Sequence, residues 1–292
     1  MKLKSDPIKL FWENADCWRK LSLLRLLGKI KTKVAQKYLE EMLLLQNEDG
    51  GFAREKSKAS SVSATAEAIL NLVESGGKPN SFVVKRAVAF LWRLQKGNGS
   101  WRENPNLAKD RVPFWSSTEK GVPILTADAI LALTEVGYKN NKDLMRAVDW
   151  LRSMQSEGGM WIYLEDAGQS DVDPDSTYKA IEALMKANKA SNSPYIMKGC
   201  KALEKFILTE AAEWMKKWPV WSWMAPLDGL VAAGYAVNNE VVKYALNRIL
   251  EQQQEVGGWP GGYEVRVVPT LITLDVISKE GAWRKIKEVE EG

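Results

Sequence analysis

Residues 150–161 read WLRSMQSEGGMW, and this stretch decides the fold because its pattern returns along the chain. In each copy a glutamine is followed by glycine at the fourth place and by an aromatic ring at the sixth. The four copies begin at Gln46, Gln95, Gln155 and Gln253, and the last spacing is twice the first. The chain is therefore predicted to consist of repeated structural units.

A second pattern, Thr-x-x-Ala-Ile-x-x-Leu, lies between the glutamine motifs. It begins at Thr65, Thr126 and Thr177, and in a looser form at Thr270. Its apolar positions share one face of a helix, and the segments that lead into the glutamine motifs are amphipathic in the same way. Because no β-rich segment competes with them, an all-α fold of repeated helical hairpins is predicted.

Composition excludes several classes of protein. The 292 residues are 45% hydrophobic and 27% charged, and the net charge of +4 comes from interleaved residues. This composition predicts one globular domain over residues 1–292, with repeats from about 20 to 280, and no nucleic-acid partner. No apolar run is long enough to span a membrane, and the first residues lack a signal-peptide core. A cytoplasmic location is expected, and peripheral contact with a membrane stays open.

The glutamine motifs alternate with the threonine-motif helices, and in this the chain resembles the prenyltransferase/squalene-oxidase repeat (QW-motif) superfamily. Squalene and oxidosqualene cyclases, other class II terpene cyclases and protein prenyltransferase β subunits carry this repeat. The resemblance implies an α/α toroid of about six helical hairpins, with inner and outer rings of helices and a central cavity. The long intervals 97–123 and 155–174 favour a closed ring, although periodicity alone does not decide between a ring and an open superhelix.

The zinc-dependent branch of this superfamily does not fit the sequence. Histidine is absent, and Cys200 has no aspartate two places before it. Without histidine, His-based acid–base catalysis and most catalytic zinc sites are excluded. No metal site is predicted, and no cofactor is expected except Mg²⁺ if the substrate is a diphosphate.

An aspartate-rich stretch precedes the helix that begins near Thr177. Class II terpene cyclases protonate their substrates with Asp-x-Asp-Asp, and the matching residues are Asp173, Pro174, Asp175 and Ser176. The resemblance implies that Asp175 is the catalytic acid and Asp173 its neighbour, although Ser176 replaces the last aspartate. Burial and a nearby carboxylate raise the pKa of such an acid. The same residues also suit a helix N-terminus, with Asp173 as the cap.

Aromatic residues supply candidates for a substrate-binding wall. Their faces could stabilise a carbocation or line an isoprenoid pocket, or they could instead cover an irregular hairpin. The densest stretch occupies residues 214–223, where the glutamine motif is missing. The candidates are Trp214, Trp218, Trp221, Trp223, Trp115 and Tyr163.

Three functions remain open. We favour an isoprenoid-handling, terpene-cyclase-like protein, which predicts a deep apolar cavity with Asp175 pointing into it. Its partner would be a hydrophobic isoprenoid, and enzymatic activity of the class II cyclase type stays undecided. The alternative is a non-catalytic toroid that binds a protein partner, with a filled centre and an exposed apolar patch. A carbohydrate-active barrel using Glu165, Asp166 and Asp175 has the least support.

Overall fold

The computed structural model describes residues 2–56, 58–110, 116–188 and 193–291. Within these ranges the chain forms fourteen α-helices, two short 3-10 helices at Pro105–Asp110 and Pro260–Gly262, and no strand longer than an isolated bridge. The helices are α1 (Ile8–Asn14), α2 (Cys17–Leu26), α3 (Lys33–Leu43), α4 (Val62–Glu74), α5 (Phe82–Leu94), α6 (Pro123–Glu135), α7 (Lys142–Ser153), α8 (Pro174–Asn188), α9 (Pro194–Thr209), α10 (Ala211–Trp214), α11 (Trp221–Ala232), α12 (Glu240–Glu251), α13 (Glu264–Thr273) and α14 (Lys279–Glu291).

Six of these helices form an inner ring. In chain order α2, α4, α6, α8, α11 and α13 each contact the next helix, and α13 returns to contact α2. The helices α3, α5, α7, α9 and α12 lie outside and pack against the inner helices. The Ala-Ile pairs of the threonine motif, such as Ala129 and Ile130, are fully buried. The predicted α/α toroid is thus confirmed, and its ring is closed.

The glutamines join neighbouring outer helices. Gln155 lies just beyond α7, and its Nε2 donates to the carbonyl of Gly159 at 2.7 Å and to the carbonyl of Tyr195 at 2.8 Å. Tyr195 belongs to the first turn of α9, so one amide ties the end of one outer helix to the start of the next. Gln46 and Gln95 make the same pair of bonds to their own glycines and to Val83 and Asp143.

We call the contact between the end of one outer helix and the start of the next a joint. The aromatic ring and the threonine of the two motifs complete it. The indole of Trp161 donates to the carbonyl of Leu151 at 2.6 Å, and its backbone N–H donates to Oγ1 of Thr177 at 2.9 Å. The ring therefore covers the end of α7 while its backbone holds the start of α8. Gly159 allows the turn, because its φ of 101° favours glycine and an added Cβ would lie 2.7 Å from the carbonyl of Lys198.

The fourth threonine motif was placed in the wrong register. In the last copy the N–H of Trp259 points to Oε2 of Glu264 at 3.5 Å, so Glu264 rather than Thr270 takes the position of Thr177. The helix α13 is followed by Asp275 with a φ of 56°, where α2, α4, α6 and α11 are followed by a glycine with positive φ. The glycine that marks the register in the sequence is therefore missing here.

The two ends of the described chain complete the ring. Nε2 of Gln253 donates to the carbonyl of Ser5 at 2.9 Å, so the segment before α1 occupies the place that an outer helix has at the other joints. On the last helix, Glu290 accepts hydrogen bonds from Trp12 and Tyr38. These contacts close the outer ring between residues that are far apart in sequence.

Candidate functional site

A cavity of about 930 Å³ lies on the axis of the inner ring. Every inner helix contributes to its wall, together with the segment before α4 and the turn at Gly261 and Gly262. The charged residues of the wall are Arg19, Arg25, Arg54, Glu67, Asp128, Lys179, Glu182, Asp228 and Arg266. The apolar residues include Leu26, Leu70, Leu131, Val231 and Pro269. The expectation of an apolar cavity is therefore wrong, because charges occupy much of its wall.

Four of the charges occupy equivalent places in the repeat. Glu67, Asp128 and Lys179 each stand two residues after the motif threonine of α4, α6 and α8, and Arg266 stands two residues after Glu264 in α13. Two residues turn a helix by about 200°, so a side chain at this place faces away from the threonine. The threonine bonds to the aromatic joint, and the charged residue consequently faces the axis.

Glu67 and Arg54 form an ion pair on the wall between α2 and α4. The Nη1 of Arg54 lies 2.5 Å from Oε2 of Glu67, and the hydroxyl of Ser22 donates to Oε1 at 2.8 Å. The guanidinium of Arg54 also lies over the ring of Trp18, 5.0 Å from its centroid. Burial would raise the pKa of Glu67, but Arg54 and Ser22 outweigh it and hold that pKa below its usual value.

Asp128 lies across the junction between α4, α6 and α8. Its Oδ2 accepts a hydrogen bond from the hydroxyl of Ser63 at 2.5 Å, and its Oδ1 lies 3.5 Å from Nζ of Lys179. Lys179 also pairs with Glu182 at 2.9 Å. Burial raises the pKa of Asp128, because the shared lysine and the hydroxyl offset only part of the cost of burying the charge.

Asp175 is in the first turn of α8, and two donors from other helices hold it. Its Oδ1 pairs with the guanidinium of Arg266 on α13, and its Oδ2 accepts a hydrogen bond from Nε1 of Trp221 on α11 at 2.6 Å. Burial would raise its pKa, but the charge and hydrogen bond of Arg266, together with Trp221, lower that pKa below the usual value. Asp175 is therefore a carboxylate in this arrangement.

Arg266 links Asp175 to a second carboxylate that lines the cavity. Its Nε lies 2.6 Å from Oδ2 of Asp228, whose Oδ1 accepts a hydrogen bond from Thr270 at 2.7 Å. The two carboxylates come from α8 and α11, and the guanidinium comes from α13. One cation thus joins three inner helices, and Asp175 reaches the cavity wall only through it.

Asp173 caps the helix α8. Its Oδ2 accepts hydrogen bonds from the N–H of Ser176 at 2.7 Å and from the hydroxyl of Ser176 at 2.8 Å. Burial and the neighbouring Asp175 raise the pKa of Asp173, although the bonds from Ser176 act in the opposite direction. The serine that replaces the last aspartate of the cyclase motif therefore serves the cap.

The tryptophan candidates form a cluster beside α11 instead of lining the cavity. Trp221 stacks on Trp214 with ring centroids 5.8 Å apart and meets Trp218 edge-on at 6.3 Å. Trp214 is 40% exposed and Trp218 43% exposed, so both rings are partly open to solvent. Trp223 is buried and packs against Tyr244 of α12.

The remaining candidates also lie apart from the cavity. Tyr163 donates its backbone N–H to Asp171 within the loop that follows α7, and Trp115 lies outside the described residues. None of the described candidates lines the cavity, and their roles stay predictions. Tyr178 and Tyr263 are the aromatic residues of the wall. The sequence carried a signal for Tyr178, which directly follows the motif threonine.

Three further carboxylates, which do not line the cavity, form hydrogen bonds or ion pairs within the fold. Glu103 lies in the segment after α5 and is 4% exposed, and it accepts hydrogen bonds from the N–H of Val62, the first residue of α4, and from the N–H of Asn104. Burial raises its pKa to about 7. Glu165 and Asp166, the carbohydrate candidates, pair with Lys96 and Lys120.

Within the described ranges, no three metal-ligating side chains come together in a group that could hold a metal ion. None of the described helices is long and apolar enough to cross a membrane.

The chain is similar to proteins of one superfamily. A family model, the squalene-hopene cyclase C-terminal domain, matches residues 19–170. Lanosterol synthase from Saccharomyces cerevisiae is 30% identical over 84 residues, which are 29% of this chain and 11% of that enzyme. Squalene–hopene cyclase from Zymomonas mobilis is 30% identical over 135 residues, which are 45% of this chain and 19% of that enzyme. The matched stretches thus span less than a fifth of either enzyme.

Solved structures share the fold at lower identity. A type II terpene cyclase from Scytonema superposes with a TM-score of 0.61 at 20% identity, over 83% of this chain and 70% of that one. The ent-copalyl diphosphate synthase from Streptomyces platensis superposes with a TM-score of 0.60 at 14% identity, over 93% of this chain and 51% of that one.

Proposed function

The chain belongs to the squalene-hopene cyclase C-terminal domain family, and from that premise we propose that it binds an isoprenoid in its central cavity. The observation that carries the proposal is the layering of the cavity wall. Charged residues such as Glu67 and Asp128 precede apolar residues such as Leu70 and Leu131 by one turn of the same helices. Such a wall suits a ligand with a polar end and an apolar chain.

The volume of the cavity supports the same proposal. About 930 Å³ lies at the upper end of the range for small-molecule sites, so a long isoprenoid chain fits. Among proteins of this fold, the Scytonema cyclase has geranylgeranyl dihydroxybenzoate as substrate and merosterolic acid A as product. The substrate joins a geranylgeranyl chain to a polar dihydroxybenzoate, which is the kind of ligand proposed here.

Proton-initiated cyclisation is the finer part of the proposal, with Asp175 as the acid and Asp173 as its neighbour. Asp175 occupies the position of the acid in the Asp-x-Asp-Asp motif. It can donate a proton only as the neutral acid, whereas Arg266 and Trp221 stabilise its carboxylate. Catalysis by Asp175 therefore requires that Arg266 moves to another partner when the ligand binds.

A non-catalytic interaction toroid is the second candidate, and one observation favours it. Trp214, Met215 and Trp218 form an exposed apolar patch on the outer surface, each at least 36% exposed. Such a patch is typical of sites that bind another protein. In this candidate the bonds of Asp175 to Arg266 and Trp221 stabilise the ring and serve no reaction.

An activity screen separates the two candidates. Purified protein is incubated with polyprenyl diphosphates and squalene-type hydrocarbons, with and without Mg²⁺, and products are identified by mass spectrometry. Asp175→Asn tests the acid, and Asp143→Asn is the matched control because Asp143 is an exposed residue in the first turn of α7. A cyclised product that Asp175→Asn alone abolishes supports the cyclase. Neither binding nor product from any substrate, with folded protein, contradicts the isoprenoid proposal.

A further inference from the structure

The charges of the cavity wall are compensated unequally around the ring. On one side Lys179 is shared by Asp128 and Glu182, and Arg266 is shared by Asp175 and Asp228. Each of these two cations therefore has two carboxylate neighbours. An additional anion would meet a surplus of negative charge on that side.

The part of the wall formed by α2 and the segment before α4 carries three arginines, Arg19 and Arg25 of α2 and Arg54 before α4, and we call it the arginine side. Among the described residues each has one carboxylate within 4 Å: Arg19 has Asp16 at 3.3 Å, Arg25 has Glu74 at 3.8 Å, and Arg54 has Glu67 at 2.5 Å. A guanidinium carries five N–H donors, so one carboxylate leaves several of them for a ligand. The arginine side is thus the part of the wall where each guanidinium has donors to spare and no second carboxylate beside it.

The arginine side is also held in place before any ligand binds. The carbonyl of Arg54 accepts a hydrogen bond from the indole of Trp18 at 3.2 Å, and the ring of Trp18 lies beneath the guanidinium. Arg25 donates to the side chain of Asn71 at 3.3 Å. The side chains of Arg19 and Arg54 nevertheless remain 51% and 46% exposed, so a ligand in the cavity can reach them. Preorganised donors lower the entropy cost of binding.

We propose that the arginine side binds a phosphate or diphosphate group, so that the ligand of the cavity is an amphiphile with an anionic head. Planar guanidinium groups from α2 and from the segment before α4 match the several oxygens of such a group. Leu26 of α2 and Leu70 of α4 lie on the same side of the wall and would contact the start of an apolar tail. The tail rests on the proposed isoprenoid function, whereas the anion site does not.

Calorimetric titration tests the proposal with three probes: inorganic pyrophosphate, geranylgeranyl diphosphate and geranylgeraniol, all without Mg²⁺. The diphosphate is expected to bind at least about tenfold more tightly than the alcohol, and its affinity should fall as salt is added. The double variant Arg19→Gln/Arg54→Gln should remove that difference and leave the affinity for the alcohol unchanged. Arg248→Gln, which removes an exposed arginine of α12, is the matched control.

A second variant gives a result of opposite sign. Glu67→Gln keeps an oxygen for Ser22 and removes the negative charge beside Arg54, so it should tighten pyrophosphate binding. A merely structural role for the Arg54–Glu67 pair predicts no gain in affinity. Equal affinities for the diphosphate and the alcohol, or pyrophosphate binding that is indifferent to both changes, overturn the proposal. Pyrophosphate binding that the double variant abolishes, with no binding of either prenyl compound, sustains the anion site and refutes the isoprenoid function.

Discussion

The indole nitrogen of Trp221 lies 2.6 Å from Oδ2 of Asp175, so an aromatic residue of the outer cluster bonds to the carboxylate behind the cavity wall. Its ring also stacks on the exposed Trp214. The tryptophan cluster and the charged wall are therefore parts of one connected group, in which Trp221 serves as a hydrogen-bond donor as well as an apolar surface.

This bond predicts a measurable coupling between Trp221 and Asp175. A double-mutant cycle with Trp221→Phe and Asp175→Ala should give a coupling free energy of about 1–2 kcal/mol in urea unfolding at pH 7, because the acceptor is charged but partly exposed. Trp223→Phe is the matched control, since the buried Nε1 of Trp223 has no hydrogen-bond partner among the described residues. A coupling as small as that of the control would contradict the bond.

Arg266 should be the most sensitive charge of the cavity. Arg266→Gln leaves Asp175 and Asp228 without their cation, and we expect the free energy of unfolding to fall by about 2–4 kcal/mol. Adding Asp228→Asn to that variant removes one of the two stranded carboxylates and should restore part of the loss. Chemical denaturation of both variants measures their free energies of unfolding. A double variant as unstable as Arg266→Gln would count against the charge explanation.

Glu103 predicts a pH dependence of stability. Its pKa of about 7 in the folded protein lies above the ordinary glutamate value, so the folded state binds more protons than the unfolded state between about pH 4.5 and 7. Stability should consequently fall as pH rises through this window, by about 3 kcal/mol in all. Glu103→Gln keeps an oxygen for Val62 and Asn104, and should remove this part of the pH dependence and be more stable than the parent at pH 8.

Urea unfolding at several pH values checks that prediction. Glu240→Gln is the control, because the Glu240 side chain is 86% exposed and pairs with Lys243 one turn away. The control should follow the parent at every pH. A Glu103→Gln protein with the parent's pH profile would show that another group is responsible.

The joint at Gln95 predicts a difference between two substitutions. Gln95→Ala removes the hydrogen bonds to the carbonyls of Gly99 and Asp143 and should cost about 1–3 kcal/mol of stability. Gln95→Glu keeps the shape of the side chain but brings a carboxylate against two carbonyl oxygens. At pH 7 it should therefore be less stable than the alanine variant, which thermal unfolding can determine; the reverse order would mean that shape matters more than the donor.

The sequence carries the repeat clearly but not the contents of the cavity. The joints could be predicted because Gln155, Gly159 and Trp161 act within one local turn. The sequence shows charged residues, Glu67 and Asp128, at the same position in successive copies of the threonine motif. A charge on a helix is normally exposed to solvent, so this pattern does not by itself predict a charged cavity wall. Only the closure of the ring turns that face inward, so the wall depends on contacts that no single repeat contains.

Long-range partners also govern the protonation of the candidate acid. The prediction for Asp175 rests on its neighbours Asp173 and Ser176, which are adjacent in sequence. Burial would raise the pKa of Asp175, but Arg266 and Trp221, which reach it from α13 and α11, lower that pKa. The register of the last copy was missed for a similar reason. Glu264 accepts the backbone hydrogen bond that a threonine accepts in the other copies, but it differs from threonine in both size and charge.

Two joints of the ring lack the glutamine tie: the one that Glu290 closes, and the one between α9 and α12, because residues 194–220 contain no glutamine. At the second of these the inner helices α8 and α11 are in close contact, and Trp221 of α11 donates a hydrogen bond to Asp175 of α8. That joint is therefore held from the inner layer of the toroid instead of from its outer layer. A change at Asp175 or Trp221 would consequently act on the closure of the toroid as well as on the chemistry of the cavity.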